Sequence, residues 1–133
     1  MKTFTHYSAR ASAYVHGSGT AEVVFSGLID SRSLAALHGQ ARAHAVNATG
    51  WVLDFSAAAL VLPDGPVEGL GTMTGYPIAV IVPEGFTRLS FGRREGVICV
   101  AFSLEQSAFA LTWLELQKGV NAARLPASRP MLQ

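Results

Sequence analysis

Apolar residues along this chain fall into short dense runs, broken by glycine or proline and alternating with stretches of helical period. Ala11 to His16 and Ala21 to Ser26 are two such runs, separated by Gly17-Ser18-Gly19-Thr20. Glycines at that spacing supply the positive φ of a tight hairpin, which predicts an antiparallel pair. Gly27 then reads as a turn and Asp30 as the N-cap of a helix. That helix runs from Ser31 to Val46 and sets Leu34, Leu37, Ala41 and Ala45 on one face, with Arg32, Gln40 and His44 elsewhere. Asn47 to Gly50 stops it. For Thr3 to Arg10 the pattern allows either a further edge strand or an ordered arm.

Trp51-Val52-Leu53-Asp54-Phe55 is a continuous apolar run with one acid, as expected of a parallel strand covered on both faces. Ala57 to Leu62 extends or follows it. Pro63-Asp64-Gly65-Pro66 breaks the chain, and Pro66 suits the first turn of a short helix through about Thr74. Gly69 and Gly71 weaken that helix by roughly 1 kcal/mol each relative to alanine. Pro77 to Val82 is the next buried strand, Pro83-Glu84 opens a third helix or turn through about Gly92, and Gly96 to Phe102 is the last strand. Ser103-Leu104-Glu105-Gln106 has the form of a capping box and opens a final helix to about Lys118. Phe109, Trp113 and Leu116 lie on one edge of it, with Leu104, Ala108 and Leu111 beside them. Periodicity fades at Gly119, and Pro126 and Pro130 argue for a frayed tail.

The order of elements predicts an α/β fold: a mixed, mostly parallel sheet entered by an antiparallel hairpin, with about four helices packed on it. At 133 residues the chain fits one domain, over 1–118, followed by a C-terminal tail over 119–133. Half the residues are hydrophobic and only 14% are charged, which is apolar for a domain of this size. The net charge of +1 comes from scattered arginines, so nothing concentrates a basic face for nucleic acid. Cys99 is the single cysteine, in an apolar strand, and reads as an inert buried thiol. The N-terminal residues lack the apolar core of a signal peptide, and the longest apolar stretch is too short to cross a bilayer. A cytoplasmic setting is the expectation.

Candidate chemistry is sparse. His6, His16, His38 and His44 never fall at metal-ligand spacing with a second ligand, so neither metal nor cofactor is expected. There is no phosphate-binding glycine loop and no nucleophile elbow. A receiver-type phosphoacceptor at Asp54 would need acids after the first strand and a lysine after the last, and both are missing. A hydrolase-type alternative uses Asp30, Asp54 or Asp64 with His38 as acid or base. A turn residue, a strand-end residue and a cap explain the three aspartates without it.

Three short motifs occur in order from Ala21 to Glu115. Gly27-Leu28-Ile29-Asp30 is similar to a G-x-L-D turn, Val52-Leu53-Asp54-Phe55-Ser56 to a V-L-D-L-S strand, and Ala110-Leu111-Thr112-Trp113-Leu114 to an A-x-x-W-L helix. The chain in this respect resembles STAS domains and their SpoIIAA-like relatives. The resemblance implies a non-enzymatic regulatory module that contacts a protein partner. STAS regulators that switch partners carry D-S-S-G before the second helix, with a phosphorylated serine. The matching stretch here is Leu62-Pro63-Asp64-Gly65, so Asp64 stands in the acceptor's place and that switch is lost. A carboxylate at a helix start gains about 0.3–1 kcal/mol from the dipole, so Asp64 has a purely structural reading as well.

The expected partner surface is therefore Pro63, Asp64, Gly65 and Glu68 with the short helix behind them, since ligands of open α/β sheets favour the C-terminal ends of strands. The alternative is a small apolar or acyl ligand in a groove lined by Leu60, Leu62, Val67, Leu70 and Met73. The surplus apolar surface of the last helix fits a homodimer across a two-fold axis or a lid formed by the tail.

Overall fold

The computed structural model describes residues 1–62, 65–66, 76–83, 89–90 and 99–124; of these, 65–66, 89–90, 99–102, 104 and 121–124 are described by backbone alone. In chain order the elements are β1 (Lys2–His6), β2 (Ala9–Val15), β3 (Thr20–Asp30), α1 (Ser31–His44), β4 (Gly50–Val61), β5 (Gly65–Pro66), β6 (Ile78–Val82), β7 (Leu89–Ser90), β8 (Cys99–Ser103), a 3₁₀ turn (Leu104–Gln106) and α2 (Ser107–Arg124). Six strands form one sheet in the order β1-β2-β3-β4-β6-β8, and β5 pairs with β7 in a separate two-stranded piece. β1–β2 and β2–β3 are antiparallel, whereas β3–β4, β4–β6 and β6–β8 are parallel. The molecule is thus α/β with a mixed sheet.

Thr3 to Arg10 resolves into a hairpin. Its two-residue loop, Tyr7-Ser8, joins His6 to Ala9, and Tyr7 has φ +57°. A left-handed first residue is what a two-residue turn between twisted strands demands. No glycine marks this turn, so the strand reading and the arm reading looked alike in the sequence. The predicted turn at Gly27 is a correction: β3 continues through it to Asp30. Gly27 has φ +81°, and a Cβ there would overlap the backbone carbonyl oxygen of Ser8. The glycine serves close approach of the β1–β2 hairpin to β3, not chain reversal.

The helices cover opposite faces of the sheet. Leu34, Leu37 and Ala41 of α1 are fully buried against Ala9, Ala11 and Ala13 of β2, Val23 and Phe25 of β3, and Leu53 and Phe55 of β4. Alanine along β2 leaves room for a helix to lie close, and Phe25 stacks on Phe55 with centroids 4.4 Å apart. α1 ends at Ala45, whose N–H returns to the Ala41 carbonyl. On the other face, Val52 of β4 and Ala79 and Ile81 of β6 meet Ala110 and Leu114 of α2. The alternation of β4 is the cause: odd residues up to Phe55 point to α1, and Val52 and Asp54 point the other way.

Two further readings of the sequence change. Pro66 does not open a helix; with Gly65 it pairs in parallel with Leu89–Ser90, which also takes those two residues out of the expected third helix. Among the described residues there are two α-helices, and most of the expected second and third helices (66–74 and 83–92) lies outside them. The last helix runs on through Gly119 to Arg124, so the tail does not begin at 119. Its buried line is Ala110–Leu114, while Phe109 and Leu116 are 68% and 65% exposed and Trp113 is half-buried. The capping box survives in part: the N–H of Ser103 donates to Gln106 Oε1 at 3.2 Å. No helix among the described residues is long and apolar enough to cross a membrane.

Candidate binding surface

Among the described residues, β3 and β4 continue alone past the ends of β2 and β6. Gly27 to Asp30 pair in parallel with Ala58 to Val61, forming a ribbon that extends past the sheet's paired neighbours. A bulge introduces it, since Val24 faces Asp54 but Ser26 faces Ala57. One extra residue in β4 is thereby accommodated, and the Asp54 carboxylate stabilises the irregularity by accepting the Ser56 N–H at 2.9 Å. The D-x-S spacing noted in the sequence has this local cause. Beyond the bulge, Ile29 and Leu60 close the α1 face. The opposite face is bare: Leu28 is 49% and Val61 58% exposed, with Ala57 and Ala59 exposed between them.

Asp30 ends the ribbon and starts α1. Its Oδ1 accepts the Ser33 N–H at 2.7 Å, the cap that the sequence predicted. That backbone hydrogen bond, helped by the Ser33 hydroxyl and by nearby Arg32 and His6, holds the Asp30 carboxyl below its ordinary range. The Ser33 hydroxyl also lies 3.3 Å from His6 Nδ1, and the Tyr7 ring packs edge-on against His6. Asp30, Ser33 and His6 so tie the hairpin loop to the start of α1. Sequence reasoning missed His6 here because nothing local ties residue 6 to residue 33. Ser33 is buried and its hydroxyl is engaged, which suits a structural link rather than a nucleophile.

At the other end of the molecule a polar cluster clamps α2 to the β2–β3 turn. Fully buried Thr20 donates to Glu115 Oε2 at 2.6 Å, and Ser18 Oγ donates to the same oxygen at 3.0 Å. Lys118 Nζ donates to the Ser18 carbonyl at 2.9 Å and to Thr20 Oγ1 at 2.8 Å, and lies 3.2 Å from Glu115 Oε1. Burial pushes the Glu115 carboxyl up, but the hydrogen bonds of Thr20 and Ser18 and the Lys118 ammonium together outweigh it and hold it low. Gly50 lets the helix in; a Cβ there would meet Lys118 Cδ at 3.0 Å. Every donor of the lysine is used, so the cluster reads as a fastening.

The predicted site residues fare unequally. Pro63, Asp64, Glu68, Val67, Leu70 and Met73 lie outside the described residues, and Gly65 is placed by its backbone in β5. Leu60 packs in the core against the α1 side and Leu62 lies half-buried against the same cluster, so these two line the core. His38 is buried beside Trp51, with ring centroids 6.3 Å apart, on the α1 face. Asp54 projects from the other face, so the sheet separates these two members of the acid–base alternative. No group of three or more His, Cys, Asp or Glu able to hold a metal occurs among the described residues. No family model, curated protein or solved structure matches the chain.

Proposed function

We propose that this protein is a non-enzymatic STAS-like binding module that contacts a protein partner through the end of the β3–β4 ribbon and the loop that follows it. The observation that carries the reading is the ribbon itself. Two strands extend beyond the sheet, expose Leu28 and Val61 on one side, and lead straight into the segment of Pro63, Asp64, Gly65 and Glu68. β3, β4, β6 and β8 run in parallel, so their C-terminal ends gather at this end of the molecule, as does the start of α1. Ligands of open α/β sheets favour such an end. Exposed apolar side chains with polar groups at the rim are the usual make-up of a contact surface.

Two double variants test it by quantitative co-purification, Leu28→Arg/Val61→Arg and Asp64→Arg/Glu68→Arg. Leu28 and Val61 are exposed, and circular dichroism checks in both variants that the fold is kept. Both are expected to lose the partners that the wild-type protein recovers. Equal recovery by all three proteins rules this surface out.

A further inference from the structure

We infer that the free edge of β1 and the adjoining flank of α1 form a docking groove for an extended acidic peptide segment of a partner protein. This surface is separate from the ribbon and does not rest on the reading given to it.

β1 is the edge strand of the sheet and, among the described residues, has β2 on one side only. In a hairpin closed by a two-residue loop, the residues flanking the loop exchange both hydrogen bonds, and alternate pairs along the strands do the same. His6–Ala9, Phe4–Ala11 and Lys2–Ala13 are those pairs. The backbone N–H and C=O of Thr3 and Thr5 consequently point away from β2, toward the open edge. They offer two donors and two acceptors at the spacing of another strand.

A shallow groove of about 620 Å³ runs along this edge, between Lys2, Phe4 and Thr5 on the strand and Gln40, Ala43 and His44 on the helix. The rings of Phe4 and His44 meet edge-on across it, 6.0 Å apart. A strand laid beside β1 at about 4.8 Å turns alternate side chains into that groove and the others to the opposite face. Lys2, Phe4 and His44 line that inward side, so the acidic side chains are the inward ones, with Phe4 and Ala43 beneath their methylene stems.

Charge selects the occupant. No carboxylate among the described residues lines the groove, and β1, β2 and α1 contain no acid at all. Between Met1 and Thr49 the acids are Glu22, which faces His16 at 2.9 Å, and Asp30, which caps α1. The negative end of the α1 dipole is met by Arg42 and His44 from its own last turn. Among the described residues, an incoming acidic segment therefore meets Lys2 with no competing carboxylate beside it. A second copy of β1 is the poorer occupant. Antiparallel self-pairing about Phe4 sets Lys2 beside His6 and brings a carboxylate to neither.

The probe is a fluorescein-labelled hexapeptide alternating valine with glutamate, followed by fluorescence anisotropy, with a valine–lysine peptide as its counterpart. The glutamate peptide should bind, and the lysine peptide about threefold or more weakly, since attraction to exposed Lys2 is replaced by repulsion. Lys2→Glu should shrink or reverse the preference. Thr5→Pro removes one outward N–H at an edge position where proline is tolerated, and should abolish binding. A backbone N-methylated glutamate peptide makes the same test without altering the protein, and should fail to bind. Hydrogen exchange at the Thr3 and Thr5 amides should slow in the complex. Equal affinity for both peptides, or binding indifferent to both Thr5→Pro and N-methylation, overturns the inference. So does loss of peptide binding in Asp64→Arg/Glu68→Arg with Thr5→Pro unaffected, which moves the site to the loop.

Discussion

The two faces of the sheet are held in different ways. On the α1 face, a helix stripe of leucine and alanine sits on an alanine-lined β2 and two stacked phenylalanines, and the contact is mainly apolar. On the α2 face, the apolar cluster among the described residues is small, and a hydrogen-bonded group of Ser18, Thr20, Glu115 and Lys118 fastens one end of the helix. The first arrangement depends on volume and close approach. The second adds directional bonds that fix where α2 lies, at a modest net gain per bond. Loss of volume should therefore be felt most on the first face, and loss of a hydroxyl or a proton on the second.

Gly27→Ala should have the largest effect. It combines a left-handed backbone with overlap on the Ser8 carbonyl, and neither strand can shift without parting the hairpin from β3. A cost of about 4 kcal/mol or more follows, measured by urea unfolding. A variant as stable as the wild type would show that the hairpin is not packed as described.

Leu37→Ala and Leu114→Ala compare the faces directly, because both side chains are fully buried. Each removes the same atoms, at about 2–5 kcal/mol depending on how far the site collapses. The Leu37 change should lower the single cooperative transition seen at every amide. The Leu114 change should instead release α2 locally, with fast hydrogen exchange in α2 and slow exchange kept in β3 and β4. If both variants lose protection uniformly, the two faces are one cooperative unit.

Thr20→Val should have the smallest effect, about 1–2 kcal/mol, as it leaves Glu115 and Lys118 short of a shared hydroxyl. The same change should alter the response to pH. Glu115 and Asp30 are both held below their ordinary values of 4.5 and 3.8. Between folded and unfolded pKa the unfolded chain binds more protons, so these groups stabilise the fold above those ordinary values. That contribution is lost as pH falls through the folded ones. Urea unfolding between pH 3 and 6 should show stability rising with pH, with a shallower slope in Thr20→Val. An unchanged slope would assign the dependence to Asp30.

What the sequence made legible follows from distance along the chain. Leu34, Leu37, Ala41 and Ala45 are all buried, and Asp30 caps α1, because stripe and cap are written within a few residues. β4 was readable as a covered strand from its apolar density. The hairpin at Tyr7-Ser8 was not, since its left-handed residue is a tyrosine. Gly27 was misread because the partner that demands it is the Ser8 carbonyl, 19 residues away. On α2 the large apolar residues drew attention, but small Ala110 and Leu114 face the sheet while Phe109 and Leu116 stay outside. The clamp joins residues 95–100 positions apart and leaves no local trace. Of the candidate site, the carrier strand was visible, and the contact of Leu60 and Leu62 with the α1-side core was not.

The bulge in β4 gives that strand an asymmetric tolerance of length. Up to Phe55, odd-numbered residues point inward; from Ala58 onward even-numbered ones do, because one residue is spent on the irregularity. A chain one residue shorter between Ser56 and Ala59 could run straight through, still carrying Leu60 to the inside. A chain one residue longer has no such reserve, and would turn Leu60 out and Val61 in. The stretch behaves like a tape with one spare notch, able to take up a loss but not a gain.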